Sequence, residues 1–157
     1  MEAFAAEHFS QREILAVHVR GSDKVTEVPP LDELNERIFD NAVAELRANP
    51  RLWIFLLTDD ARIFGRYMAS HGSRVITTDC LRTGTQQGLH YTDGLNRRQL
   101  GIEVLRDIYL AARCDRFIGL GLTSVSNMVL HLKQWPNGTI QLVGPVGHCL
   151  RNFFIHS

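Results

Sequence analysis

Three short groups of residues carry side chains suited to holding a phosphorylated ligand. The first is His18, Arg20, Ser22, Asp23 and Lys24, the second Thr58, Asp59 and Asp60, and the third Gly119, Gly121, Thr123 and Ser124. Arginine presents a rigid planar fork that meets two phosphate oxygens at once. A Gly-x-Gly-x-Thr-Ser run that opens a helix exposes backbone N–H groups at the positive end of the helix dipole, where an anion is favoured. This Gly-x-Gly is not the dinucleotide-binding fingerprint, because it follows a late strand and lacks the third glycine. Each group also has a plainer reading. An Arg20–Asp23 ion pair, helix N-caps at Asp59-Asp60 and at Thr123-Ser124, and a hydrogen-bonded core position for His18 suit the same residues. Asp107 falls in the middle of a helical stretch, where an exposed face is the default.

The elements that must position these groups follow from the apolar pattern. Residues 14–19 form a short apolar run rich in β-branched side chains, read as a buried strand. Residues 20–30 are polar, and the Pro29-Pro30 pair forbids a helix there. From Leu31 the apolar positions Leu34, Ile38, Ala42 and Leu46 make a helical stripe that Asn49-Pro50 ends. Residues 52–57 read as a second strand, 61–70 as a helix stopped near Gly72, and 74–77 as a third strand. Residues 78–96 form a long polar loop, of the kind that is usually functional or mobile. Residues 97–113 give the strongest helix, with Leu100, Val104, Ile108 and Ala111 on one stripe and Leu105 beside it. A strand over 116–119, a helix over 124–134 and a strand over 139–143 complete the pattern, and the tail, 144–157, carries little.

Strand and helix alternate almost throughout. That predicts a Rossmann-like α/β domain, a parallel sheet with helices on both faces, made of one unit over residues 1–157. Ligands of such sheets bind outside the carboxyl ends of the strands, where all three groups fall.

Composition narrows the function. The 157 residues are 45% hydrophobic and 22% charged, with 17 basic and 17 acidic side chains and a net charge of zero. A neutral balance argues against nucleic-acid or anionic-membrane partners. Cys80, Cys114 and Cys149 are odd in number and far apart, with no metal-ligand spacing, so free thiols in a reducing cytoplasm are expected and no metal site is. The N-terminus lacks the basic start and apolar centre of a signal peptide, and no stretch approaches the roughly 20 apolar residues of a membrane span. A soluble chain is expected.

The ordered motifs resemble a known family. His18-Val-Arg-Gly-Ser-Asp-Lys24 is similar to the His-x-Arg-Arg-x-Asp-Lys motif of α1,6-fucosyltransferases, both the Nod-factor and the N-glycan core enzymes. Phe55-Leu-Leu-Thr-Asp-Asp60 looks like their second motif. Asp107-Ile-Tyr-Leu-Ala-Ala-Arg-Cys114 followed by Thr123-Ser124 looks like the third, with Gly88-Leu-His90 matched ahead of it. The resemblance implies the donor-binding, C-terminal half of a GT-B glycosyltransferase. Such an enzyme transfers fucose from GDP-fucose to a glycan hydroxyl with inversion, without metal and with no cofactor beyond the donor.

Carried over by position, His18 and Asp107 would read the guanine, and Arg20 with Thr123 and Ser124 would hold the β-phosphate. Asp23, Lys24, Asp59 and Asp60 would line the sugar and acceptor side. Glu27, one residue displaced from the family position, would be the base that deprotonates the acceptor. Two departures stand out. Gly21 replaces the family's second arginine, and an acceptor domain of roughly 150 to 200 residues has no counterpart here, which implies a missing N-terminal domain or a partner chain. The alternatives are a GDP-sugar-binding module without catalysis and an unrelated α/β phosphate-binding enzyme.

Overall fold

The computed structural model of the chain describes residues 1–21, 31–84 and 94–146. Its elements run α1 (Glu2–His8), β1 (Glu13–His18), α2 (Leu31–Ala48), β2 (Leu52–Leu57), α3 (Ala61–His71), a 3-10 turn at Gly72–Arg74, β3 (Val75–Ile76), α4 (Arg97–Ala111), β4 (Arg116–Leu120), α5 (Ser124–His131) and β5 (Ile140–Val143). The five strands form one sheet in the order β3-β2-β1-β4-β5, and every pairing is parallel. This is the Rossmann-like architecture that the alternation predicts.

The central strand β1 is buried from Ile14 to His18, because helices cover both faces of a parallel sheet. Its side chains alternate. Leu15 and Val17 join one core with Leu31, Leu34, Ile38, Ala42 and Leu46 of α2, while Ile14 and Ala16 join another with Ala5 of α1, Ile108 and Leu110 of α4, and Val129 and Leu130 of α5. So α2 and α3 cover one face, and α1, α4 and α5 the other. The chain leaves β1 toward β2 across the first face and returns to β4 through α4 on the second. That reversal opens a crevice between β1 and β4 at their carboxyl ends.

The stripe predicted for α2 is buried at every position named. The helix stops at Asn49-Pro50, where the residue before proline disfavours helical backbone. The freed Asn49 side chain donates to Glu13 Oε2 at 2.6 Å and accepts from the Arg51 amide at 3.0 Å.

Three expectations are corrected. The N-terminal α1 has no counterpart in the sequence reading: at seven residues it is too short for a helical period to show, and Phe4 and Phe9 pack it against Phe55. The third strand contracts to two residues, paired only with β2 at the sheet edge. In α4 the stripe holds only in its second half: Ile108 and Ala111 are buried as expected, but Val104 and Leu105 are 49% and 45% exposed, whereas Asp107, expected on an exposed face, is 8% exposed. Only the C-terminal part of α4 lies on the sheet, where Asp107, Ile108, Leu110 and Ala111 are its buried residues. Among the described residues no helix is long and apolar enough to cross a membrane.

Candidate functional site

The carboxyl ends of the strands surround a cavity of ≈480 Å³. His18 and Arg20 enter it from β1 and its extension, Thr58 and Asp59 from the end of β2, and Cys80 and Leu81 from the segment after β3. Arg97, Leu100, Glu103, Val104 and Asp107 line it from α4, and Val125 from α5. The exposed first turns of α4 are therefore a cavity wall, which is why their apolar side chains are absent from the core.

His18 is the last residue of β1 and pairs in register with Gly119 of β4. Its Nδ1 lies 3.2 Å from Ser126 Oγ and 3.4 Å from Thr123 Oγ1. Burial, and then the neighbouring Arg20 charge, push its pKa down to about 3, so the ring is neutral at ordinary pH. Gly119 permits this arrangement: a Cβ there would stand 2.7 Å from Ser126 Oγ and 2.8 Å from the Phe117 ring. A packing demand thus places a glycine in the run read above as a phosphate turn. Thr123 is the N-cap of α5 and accepts from the Ser126 amide at 3.2 Å, which commits its hydroxyl to the helix. Ser124, the exposed first residue of α5, stands beside the cavity-lining Val125.

Arg20 is half-buried, and its backbone carbonyl accepts from Asn35 of α2 at 2.9 Å. Its Nη1 lies 3.5 Å from Asp59 Oδ2. The neighbouring aspartates divide their work. Asp59 lines the cavity, whereas Asp60 is fully buried and caps α3, accepting from the Arg62 and Ile63 amides at 2.7 and 3.3 Å and from the Arg62 guanidinium at 2.7 Å. Asp60 is outside the cavity lining.

Asp107 accepts from the Thr78 hydroxyl at 2.8 Å and from Arg106 Nε at 3.3 Å. Burial raises its pKa above the ordinary carboxylate value, against the lowering effect of Thr78 and Arg106. Burial and the Asp107 charge likewise raise the thiol of Cys80. No group of three or more histidines, cysteines or carboxylates is placed to hold a metal ion among the described residues.

Of the residues named from the sequence, His18, Arg20, Asp59 and Asp107 line one cavity; Thr123 and Ser124 are outside its lining, Thr123 touching His18 and Ser124 preceding the lining residue Val125. Asp23, Lys24 and Glu27, together with Gly88, His90 and Cys149, lie outside the described residues. Thr58, named with the second group, lines the cavity too, whereas Cys80, Arg97 and Glu103 line it without having been singled out as site residues. Arg97 alone left a readable signal, as a basic pair with Arg98 opening a helix that has no acidic residue in its first turn.

Comparison with solved structures shows where this fold recurs. NodZ α-1,6-fucosyltransferase co-crystallised with GDP is similar with a TM-score of 0.56 and 22% identity, over 82% of this chain and 38% of that one. NodZ soaked with GDP-fucose and NodZ from Bradyrhizobium each give 0.54 and 23% over the same shares. The fold is that of a fucosyltransferase portion. This chain spans 38% of the length of the NodZ chains it matches. No protein-family profile matches it, nor does any curated protein sequence. The shared fold agrees with the resemblance carried by the three motifs.

Proposed function

We propose that the chain is the donor-binding domain of a fucosyltransferase-like glycosyltransferase, holding GDP-fucose or a related GDP-sugar in the cavity between β1, β4 and α4. One observation carries this reading. The motif residues His18, Arg20, Asp59 and Asp107, distant in sequence, line a single cavity at the switch point of a fold shared with a fucosyltransferase crystallised with GDP.

In this reading the Asp107 carboxylate accepts from the guanine ring N–H and exocyclic amine, and the neutral His18 ring supports the same base. Arg20 and the backbone N–H groups at Ser124 hold the pyrophosphate. In an inverting transfer GDP leaves with growing negative charge, and a guanidinium beside helix-terminal amides stabilises it without a metal. Asp59 orients Arg20 and faces the sugar. Asp60 acts behind it, fixing the start of α3. Asp23, Lys24 and Glu27 belong to the sugar and acceptor side, with Glu27 as the base toward the acceptor hydroxyl. The glycan acceptor would be presented by an N-terminal domain or partner chain, completing the two-domain GT-B arrangement in the cytoplasm.

Calorimetric titration with GDP, UDP and ADP tests this. GDP should bind best, and Arg20→Ala should weaken it by about 1.5 to 3 kcal/mol, as for a lost charge-assisted contact. Equal affinity for the three nucleotides sinks the reading.

A second reading, GDP-sugar binding without transfer, draws on Gly21. A Cβ at this position would stand 2.3 Å from Asp60 Cβ, so the position that is arginine in the resembling motif has no room for a side chain. Release of GDP from GDP-fucose in the presence of oligosaccharide acceptors separates transfer from binding alone.

A further inference from the structure

Building on the nucleotide-sugar reading, we propose that Arg97 is a second phosphate-binding cation of the cavity, acting alongside Arg20. Arg97 is the first residue of α4, is exposed and lines the cavity. The other charged side chains of the lining are already engaged. Arg20 faces Asp59 at 3.5 Å, Glu103 accepts from the Leu81 amide and from Gln99 Nε2 at 3.1 Å each, and Asp107 accepts from Thr78 and Arg106. Among the described residues Arg97 has no such partner.

Charge balance gives this guanidinium a task. Without it the lining holds Arg20 against the carboxyl groups of Asp59, Glu103 and Asp107, a field that repels a diphosphate. Among the described residues Arg97 is the remaining cation of the wall. Its position also opposes local stability. The first turn of α4 carries Arg97 and Arg98 with no acidic residue, where α2 carries Asp32 and Glu33. Cations at a helix N-terminus face the positive end of the dipole. A local rule broken beside a cavity points to use by a ligand. Ten residues separate Arg97 from Asp107, about 15 Å along the axis, so a base held at Asp107 and a phosphate reached by Arg97 belong to one extended ligand.

The experiment titrates GDP and guanosine into the full chain and into Arg97→Gln and Arg98→Gln. Arg97→Gln should weaken GDP about three- to fivefold, the upper part of the range for an exposed charge contact. It should leave guanosine unchanged, reduce the salt dependence of GDP binding, and leave the melting temperature level or higher. Arg98→Gln, whose side chain is outside the lining, should keep GDP affinity within about twofold. Unaltered GDP affinity in Arg97→Gln, or an equal loss for guanosine, overturns the proposal. A wild-type chain that binds no GDP removes the underlying reading and this proposal with it, whereas GDP binding that depends on Arg20 but not on Arg97 removes this proposal alone.

Discussion

On the α2–α3 face of the sheet the core is filled by Leu15, Val17, Ile38, Leu52, Ile54 and Ile118, and Tyr67 is its one polar-tipped member. On the α4–α5 face the same strands present His18 to Ser126 and Thr123, and Asp107 meets Thr78 under α4. Both faces bury an apolar core, and among the described residues the second also places buried His18 and Asp107 around the cavity. One face is packed with apolar side chains, and the other gives up some packing to hold hydrogen-bonding groups beside the cavity. Buried His18, Thr78, Asp107, Thr123 and Ser126 are tolerated there because each has a hydrogen-bond partner, which removes most of the desolvation cost.

This contrast can be broken by mutation, and the largest effect belongs to the apolar face. Ile38 is fully buried. Ile38→Ala should destabilise by about 2 to 5 kcal/mol in urea unfolding, while nucleotide affinity of the folded fraction stays unchanged. A loss of affinity equal to the loss of stability would mean that the faces are not separable.

The next effect is a pH dependence from the polar face. His18 is neutral in the folded chain and has an ordinary pKa when unfolded, so the unfolded state takes up a proton first as pH falls below about 6.5. Its contribution is intact above that pH and is lost on acidification toward 3, by up to about 1.4 kcal/mol per pH unit. His71, also lowered by burial and neighbouring arginines, adds in the same direction. Unfolding curves between pH 6.5 and 5 should therefore flatten in His18→Asn. An unchanged slope would show that the ring is solvated.

The smallest effect has the opposite sign. Burial raises the Asp107 pKa, so its ionised form at pH 7 works against folding. Asp107→Asn should raise the melting temperature slightly, since Arg106 keeps Asp79 at 2.7 Å. It should also narrow the preference for GDP over ADP. A variant that is less stable and equally selective would remove Asp107 from the base-binding role.

The sequence made the apolar face legible and the polar face only partly so. Along α2 one stripe of apolar residues meets one core, so periodicity and burial coincide at Leu34, Ile38, Ala42 and Leu46. Along α4 apolar residues occupy several faces, because the helix begins as a cavity wall and ends on the sheet. Periodicity therefore named Val104 and missed the burial of Asp107 and Leu110. His18, Arg20, Asp59 and Asp107 were found as motif members. Arg97 and Glu103 were overlooked because a helix wall facing a cavity has the composition of a solvated surface. Asp60 was named with Asp59 because adjacent identical residues give no hint of which one turns inward.

The contact between Gly21 and Asp60 also constrains how this chain can change over generations. Any side chain acquired at 21 collides with the residue that anchors the first turn of α3. Because the nearest atom is the Asp60 Cβ itself, only glycine at 60 makes room, and it would discard the side-chain cap of α3 and its pair with Arg62, a loss of at least a few tenths of a kcal/mol. Neither substitution is tolerated without the other, and the first step on the easier route is a loss. Residues 21 and 60 are thus locked as a pair, and position 21 cannot take up a charged side chain while Asp60 caps α3.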